Sequence, residues 1–456
     1  MKYNMLVKYG FGAFFIGSLI LLPFIGRAQE KLTLEQCIIL AKEADKTVQA
    51  AMYGEESAGY DKNAAKANFF PSFSISGIGT WSKAAESYSS GDGMLPVFGA
   101  DGKPTGSSAY FPGIDLNLEL GLLYSVGVAV EQPIYMGGKV RTGYKMASLG
   151  NELASQNRRL AEQDIIINVS KSYVNAVKAS ELVKVAMSYR ELLEELMHSV
   201  ESAKRHGMKS YNDVLKVKVK LDESMLNLQK AENGLELALM DLCRHIGYKL
   251  TADIKIDTLL PAISMHPEMF SEIDITNRPE YIMLEKKSEL AMRKVNFVKS
   301  DALPQLGVFG QYGYFHGLEL NNTKLLGDWN FIAGVKLSVP LFHFGGRANK
   351  VRSAKALYKQ TAAERENTNS LLELEAVQAA NNLKEAELEL KLALSSVESA
   401  NENLRTSTKQ YEAGLESLSD LLEAQTLWQQ ANQALIDARI GRYISLITYQ
   451  KVSGQM

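Results

Sequence analysis

YEAGLESLSDLLEAQTLWQQANQALIDARIGRYISLITYQKVSG runs from Tyr411 to Gly454, and KRHGMKSYNDVLKVKVKLDESMLNLQKAENGLELALMDLCRHIG runs from Lys204 to Gly247. A shift of 207 positions superposes them, laying Gly207 on Gly414, Asp213 on Asp420 and Gly247 on Gly454. The same shift lays Pro133 on Pro340 and Gly138 on Gly345. Five landmarks at one offset establish an internal repeat. The strand entrances Pro71 and Pro304 pair at a slightly larger offset, because the loop after Trp81 is the longer one. Each half therefore reads helix, strand, outer loop, strand, glycine turn, long helix, break at Gly, second helix, Gly stop.

The spacing sets a length scale. Gly138 to Gly207 and Gly345 to Gly414 are equal intervals, each about 100 Å as helix at 1.5 Å per residue. The 11 prolines avoid these tracts: none falls between Ile134 and Leu260, and none follows Pro340. Proline destabilises a helix interior by about 3 kcal/mol, so both tracts are free to be very long helices. In LLELEAVQAANNLKEAELELKLALSSVESANENL (Leu371 to Leu404), Leu383, Ala386, Leu390, Leu394 and Val397 recur at helical steps. The run Lys216-Val-Lys218-Val-Lys220 alternates like a strand, but its repeat partner is strongly helical, so it is read as helix. Such hairpins need a first helix (Thr33 to Asn68, and Pro279 to Ser300) and neighbouring chains to cover their apolar faces.

Where prolines do occur, the texture changes. FFPSFSISGIGTW (Phe69 to Trp81), YSVGVAVEQP (Tyr124 to Pro133), LPQLGVFGQYGYF (Leu303 to Phe315) and NFIAGVKLSVP (Asn330 to Pro340) alternate with period two. Phe331, Ala333, Val335, Leu337 and Val339 share one face; Ile332, Gly334, Lys336 and Ser338 share the other. Aromatics gather at the segment ends, as a lipid-facing barrel strand requires, although an ordinary half-exposed sheet gives the same alternation. Four strands leave two open edges, which hydrocarbon does not tolerate. If they enter a bilayer, several copies must close the sheet, and three copies give twelve strands. On the polar side, Lys336 and Glu131 are candidates for the lumen.

Bulk composition excludes several classes. With 50 Lys+Arg against 52 Asp+Glu, the 456-residue chain has no electrostatic case for nucleic-acid binding. A mean hydropathy of −0.13 is not that of a polytopic helical membrane protein. Two cysteines, Cys37 and Cys243, build neither a disulfide scaffold nor a four-ligand zinc site, and they are expected to be separate thiols. The six histidines show no metal-binding spacing, and no nucleophile elbow or Walker loop occurs. No enzyme, cofactor or metal is expected. Lys2 and Lys8, the apolar run Phe11 to Ile25 and the small residues before Gln29 read as a secretory signal over 1–28, with a membrane anchor as the other reading. The expected organisation is that signal, a first repeat over 29–248, an equatorial linker over 249–278 and a second repeat over 279–456. The loop Ser82 to Leu120, rich in Gly, Ser and Asp, is expected to face outward.

With NRPEY at Asn277 to Tyr281 and the two proline–aromatic–glycine turns, the repeated strings resemble the TolC family of bacterial outer-membrane efflux proteins over essentially the whole mature chain. The resemblance implies an α+β membrane protein: a homotrimer whose helical hairpins form an α-barrel through the periplasm, beneath a twelve-stranded β-barrel in the outer membrane. It implies a passive duct fed by an inner-membrane transporter through a periplasmic adaptor. Asp420 and Glu423 match the acidic positions ringing the family's entrance constriction, with Asp213 beside them. Tyr411 and Asp213 match a pair that latches adjacent coils. Gly207-Met208 and Gly414-Leu415 match the tips that dock the adaptor. Glu416 stands where the family pattern has an arginine that latches across protomers.

The residues also admit plainer roles. Asp213 and Asp420 suit helix starts after a glycine break. Glu423 has Lys216 as its repeat partner, so a surface ion pair is the competing reading. For the whole chain, the leading expectation is an exit duct for small molecules. The alternatives are an exit duct for secreted polypeptides and a soluble periplasmic coiled-coil scaffold.

Overall fold

The computed structural model describes residues 31–259, 274–320, 323–324 and 328–456. The expected signal segment, and the part of the expected linker that holds Pro261 and Pro267, lie outside the described residues. The first half runs α1 (Leu34–Ala44), α2 (Lys46–Ala67), β1 (Ser72–Ser89), β2 (Gly93–Phe98), β3 (Pro104–Phe111), β4 (Asp115–Met136), α3 (Lys139–Arg205) and α4 (Tyr211–His245). The second runs α5 (Pro279–Lys299), one 3-10 turn (Ser300–Ala302), β5 (Gln305–Leu320), β6 (Thr323–Lys324), β7 (Trp329–Ser338), α6 (Gly346–Glu412) and α7 (Leu418–Val452). The repeat is metrically faithful: α3 and α6 each have 67 residues, and α4 and α7 each have 35.

The helix ends follow from local chemistry. Gly207, Gly247, Gly414 and Gly454 all take φ near +75°, the left-handed region open to glycine. At Gly207, Gly414 and Gly454 the same pair of backbone bonds closes the helix; at the first tip Met208 N–H donates to Ala203 O (2.9 Å) and Gly207 N–H to Lys204 O (2.9 Å), and after Gly247 Tyr248 N–H donates to Cys243 O (2.9 Å). Lys216 to Lys220 is helical, as its repeat partner indicates. The first helix differs from expectation. Instead of one piece from Thr33 to Asn68, it breaks at extended Asp45, whose carboxylate accepts the amides of Thr47 (2.7 Å) and Val48 (3.0 Å) and so starts α2 anew.

The large sheet has the order β1–β4–β5, with β7 and the short β6 on the far side of β5; all its pairs are antiparallel. Register assigns its faces. Phe73, Val130, Gly310 and Ala333 form one row, and Ile75, Val128, Tyr312 and Phe331 the next on that same side. The alternate rows, Ser72-Glu131-Phe309-Gly334, Ser74-Ala129-Gln311-Ile332 and Ser76-Gly127-Gly313-Asn330, point to the other side. The apolar face ends in rings at both heights. Tyr124 stacks on Tyr314 (6.0 Å) and Tyr312 on Trp329 (5.4 Å) at the upper end, and Phe69, Phe70, Tyr135, Phe342 and Phe344 stand exposed where the strands meet the helices. From Ser72 to Trp81 is about 30 Å of strand, or about 23 Å of height at a 40° tilt, which is the apolar band of an outer-membrane barrel. The segment Ser82 to Leu120 is more ordered than a loop: β1 and β4 extend into it as paired strands, and β2 and β3 form a separate hairpin.

Below the sheet, α3 packs on α2 and α5 over its upper half and on α4 lower down, and it meets α7 across the halves. A mid-height core gathers Cys37, Ala41, Val169, Tyr173, Val174, Leu242 and Cys243. Both cysteines are free thiols, and burial, with Cys243 close by, pushes the Cys37 thiol up to about 12. The Tyr173 hydroxyl lies within donating distance of Leu32 O (3.1 Å) and Asp257 O (2.7 Å), tying the parallel bridge Leu32–Ile256 to α3. Among the described residues no helix is long and apolar enough to cross a membrane.

Candidate functional site

At the end remote from the sheet, each hairpin turns through a glycine followed by a bare apolar side chain. Met208 is 71% exposed and Leu415 81%. The expected docking dipeptides Gly207-Met208 and Gly414-Leu415 are therefore the outermost points of the helical end, and nothing in the chain packs within 4 Å of a Cβ built on either glycine.

The next residues form two identical capping boxes. Ser210 Oγ accepts from Asp213 N–H (3.2 Å) while Asp213 Oδ2 accepts from Ser210 N–H (3.1 Å) and Oγ–H (2.9 Å). Ser417 and Asp420 repeat this with 3.3, 3.2 and 2.7 Å. The bond from the Ser210 hydroxyl, assisted by its amide and by Lys216 and Lys209, holds the Asp213 carboxyl below its usual range. Both aspartates thus do the helix-start work their position suggests. The Asp420 side chain remains exposed, as does Glu423 one turn later.

Glu423 lines a cleft of about 590 Å³ between α4 and α7 with Lys216, Ser419 and Leu422. Lys216 Nζ reaches Ser419 Oγ at 3.4 Å. Tyr411 packs half-buried at the end of α6; burial and the nearby Asp213 charge raise its hydroxyl pKa. The Lys209 ammonium lies 4.4 Å from the Tyr411 ring centroid, a cation–π contact that the sequence did not announce. Glu416 turns back onto its own hairpin: Oε1 accepts from Ser407 Oγ at 2.9 Å, while Oε2 is buried with no hydrogen bond.

In the sheet, Glu131 and Lys336 both stand on the polar face, near its helical end. They line one open cavity of about 520 Å³ with Ser72, Gln305, Phe309 and Ser338. Phe309 also lies on this side; a Cβ on Gly334 would sit 2.8 Å from its ring, so glycine is what lets the ring lie flat there. Among the described residues there is no group of three side chains suited to holding a metal ion.

A sheet with a membrane-height apolar face, standing on hairpins about 100 Å tall, defines the protomer of an outer-membrane channel-tunnel. The chain belongs to the outer membrane efflux protein family, whose model matches residues 38–248 and 275–455. It is 20% identical over 342 residues to the outer membrane protein TolC of Vibrio cholerae, covering 73% of this chain and 77% of that one. It is 22% identical over 243 residues to the alkaline protease secretion protein AprF of Pseudomonas aeruginosa, covering 51% and 49%. Among solved structures, the outer membrane protein VceC of Vibrio cholerae superposes with a TM-score of 0.74 at 15% identity, covering 92% of this chain and 96% of that one. The Campylobacter jejuni CmeC outer membrane channel gives 0.72 at 20% identity, covering 92% and 85%. The protein is an outer-membrane exit duct of the tripartite type that extends into the periplasm. The soluble-scaffold reading does not survive this membership.

Proposed function

We propose that three copies of this chain close into one passive conduit that exports small molecules. A periplasmic adaptor docks on the tips, and an inner-membrane transporter supplies the energy. The observation that carries the reading is the sheet, apolar on one face and polar on the other, with β1 and β7 each paired on one side only among the described residues. Open edges are untenable in hydrocarbon, and three sets of four strands form an allowed barrel. Each chain lends its polar row to the lumen, with Glu131 and Lys336 at the barrel's foot, and Met208 and Leu415 offer the adaptor an apolar landing. The two repeats, with the linker as a belt around the tunnel, act as quasi-equivalent staves. No chemistry is performed on the cargo.

Asp420 and Glu423 ring the entrance in this reading. Asp420 retains its capping role, because a carboxylate bonded through Oδ2 still presents its charge. Three copies of each concentrate negative charge in a narrow mouth, which favours cation occupancy and lets a trivalent cation plug it. In planar bilayers, the variant D420A/E423A should lose most of that block while conducting normally; unchanged block removes the pore assignment. A deletion strain tests the cargo. Hypersensitivity to small toxic compounds with an intact secretome supports small molecules. Loss of secreted polypeptides favours the second reading, which the protease-secretion relative AprF supports.

A further inference from the structure

The two halves of the chain meet along a seam, and the repeat maps that seam onto a surface that is bare in the single chain. Along the seam, Lys178 of α3 pairs with Asp437 of α7 (2.6 Å), Arg159 and Gln163 donate to Met456 O (3.2 and 2.8 Å), and Lys209 covers the Tyr411 ring. Moving first-half residues forward by 207 and second-half residues back by 207 carries the seam from α3·α7 to α6 against α4 of another copy. The mapping is accurate where the chain itself allows a check. Arg158 pairs with Glu55 in the first half, and its image Arg365 pairs with Glu285, within one helical turn of the position the repeat specifies. Gly247 closes on Ala44, and its image Gly454 closes on Asn277, the residue equivalent to Ala44.

We infer that adjacent copies dock by repeating the internal seam with its charges reversed, so that Glu385, Glu366 and Glu416 of one chain meet the partner's Lys230, Lys249 and Lys204. These six are the images of Lys178–Asp437, Arg159–Met456 and Lys209–Tyr411. In these three contacts the first half supplies the cation, and at the seam between chains each of those cations maps to a glutamate and each partner position to a lysine. The fourth charged contact, Lys451 of α7 with Asp164 of α3, runs the other way, and its images Arg244 and Leu371 do not repeat it. The Glu416 oxygen left without a partner in the single chain acquires one. Apolar exposure is explained together with charge: Leu374 is 63% exposed, whereas its image Ile167 is 7% exposed inside the seam. In the sheet, β4 moves forward by 207 and β5 moves back by the larger Pro71–Pro304 offset, 233, which sets Ala333, Val335 and Leu337 opposite the partner's Trp81, Gly79 and Gly77, large against small in every row. One position departs from the copy. Gly137, whose Cβ would fall 2.7 Å from Ser300 O, has Phe344 as its image, so the chains stand further apart at that collar than the halves do.

Charge reversal also explains selectivity between the seams. At Lys178 and Arg159 the α3 face is cationic where α6, at Glu385 and Glu366, is anionic, so Lys230 of a neighbour meets like charge on α3 and opposite charge on α6. The inference rests on the assembly proposed above, and thiol cross-linking of the full chain in outer membranes separates the two. Glu385→Cys with Lys230→Cys, treated with a short bifunctional maleimide, should give covalent dimers and trimers. Lys178→Cys with Asp437→Cys should react within one chain, as the internal control. Glu385→Cys with Glu223→Cys, about 10 Å along α4 from Lys230, should give none. Oligomers from the Glu223 variant alone, or no oligomers while the control reacts and wild type sediments as a trimer, overturn the register and leave the assembly standing. A wild-type monomer overturns both. Should the first pair fail to assemble, Glu366→Cys with Lys249→Cys reads the same register.

Discussion

At the scale of the residue, the hairpin tips show how one side chain serves two ends. Asp213 and Asp420 were legible as helix starts because Ser-x-x-Asp after a left-handed glycine is a capping box in sequence as well as in space. The contacts of Glu416 and the Lys209–Tyr411 pair were not legible. Each joins a residue of a hairpin turn to one on α6, and neither spacing nor composition carries that information. The caps make a pH prediction whose sign is fixed. The Asp213 carboxyl is held below its unfolded value, so its contribution is complete above the ordinary carboxylate range and is lost as pH falls through the folded value. Amide exchange in the first turn of α4, corrected for intrinsic rates, should therefore rise between pH 7 and pH 3. Asp213→Asn should flatten that rise; an unchanged profile contradicts the cap as its cause. Ser210→Ala should weaken the same turn by about 1 kcal/mol at neutral pH.

At the scale of the element, glycine stops fixed most of what the sequence disclosed: helix lengths, hairpin tips and the equality of the halves. Two elements escaped it. The break at Asp45 has neither glycine nor proline to mark it, only a capping aspartate inside a helix-forming run. The β2–β3 hairpin sits in a Gly- and Ser-rich stretch, where the turn Asp101-Gly102 was the signal to weigh. The stops themselves are not equivalent. Gly207 and Gly247 share the left-handed conformation, but a Cβ at 207 meets nothing within 4 Å, whereas one at 247 lands 2.4 Å from the Ala44 Cβ. Gly207→Ala should cost about 1 kcal/mol, the conformational penalty alone. Gly247→Ala adds a collision between α4 and α1 and should cost about 2–3 kcal/mol, the extra being the strain of overpacking. Denaturant midpoints of the two purified variants order them; equal losses would show that the α1 contact yields without strain.

At the scale of the whole molecule, the sequence disclosed a two-faced sheet on tall hairpins but not where the lipid stops. The lower aromatic ring is assembled from Phe69, Phe70, Tyr135, Phe342 and Phe344, which lie in three separate stretches and converge only after folding. Register then decides what each strand position tolerates, because neighbours along β7 point to opposite sides. Val335 lies on the apolar face between the two aromatic rings, and Lys336, the next residue, already places a cation on the polar face. Val335→Arg should destabilise the inserted barrel by about 1 kcal/mol, less than the penalty of a charge at the bilayer midplane, because the position lies toward the barrel's foot. Ser338→Arg adds the same side chain on the polar face and should leave assembly intact while altering ion selectivity. The comparison is direct: both variants are folded into lipid vesicles, and heat-resistant assembly is followed by gel mobility, with reversal potential measured for the survivor. Equal tolerance at 335 and 338 would mean that lipid does not wet the face carrying Phe73, Val128 and Phe331, and the membrane placement of the sheet would fall with it. A selective loss at 335 fixes which face of the sheet the lipid covers, since the two positions lie at similar height and differ only in the side they point to.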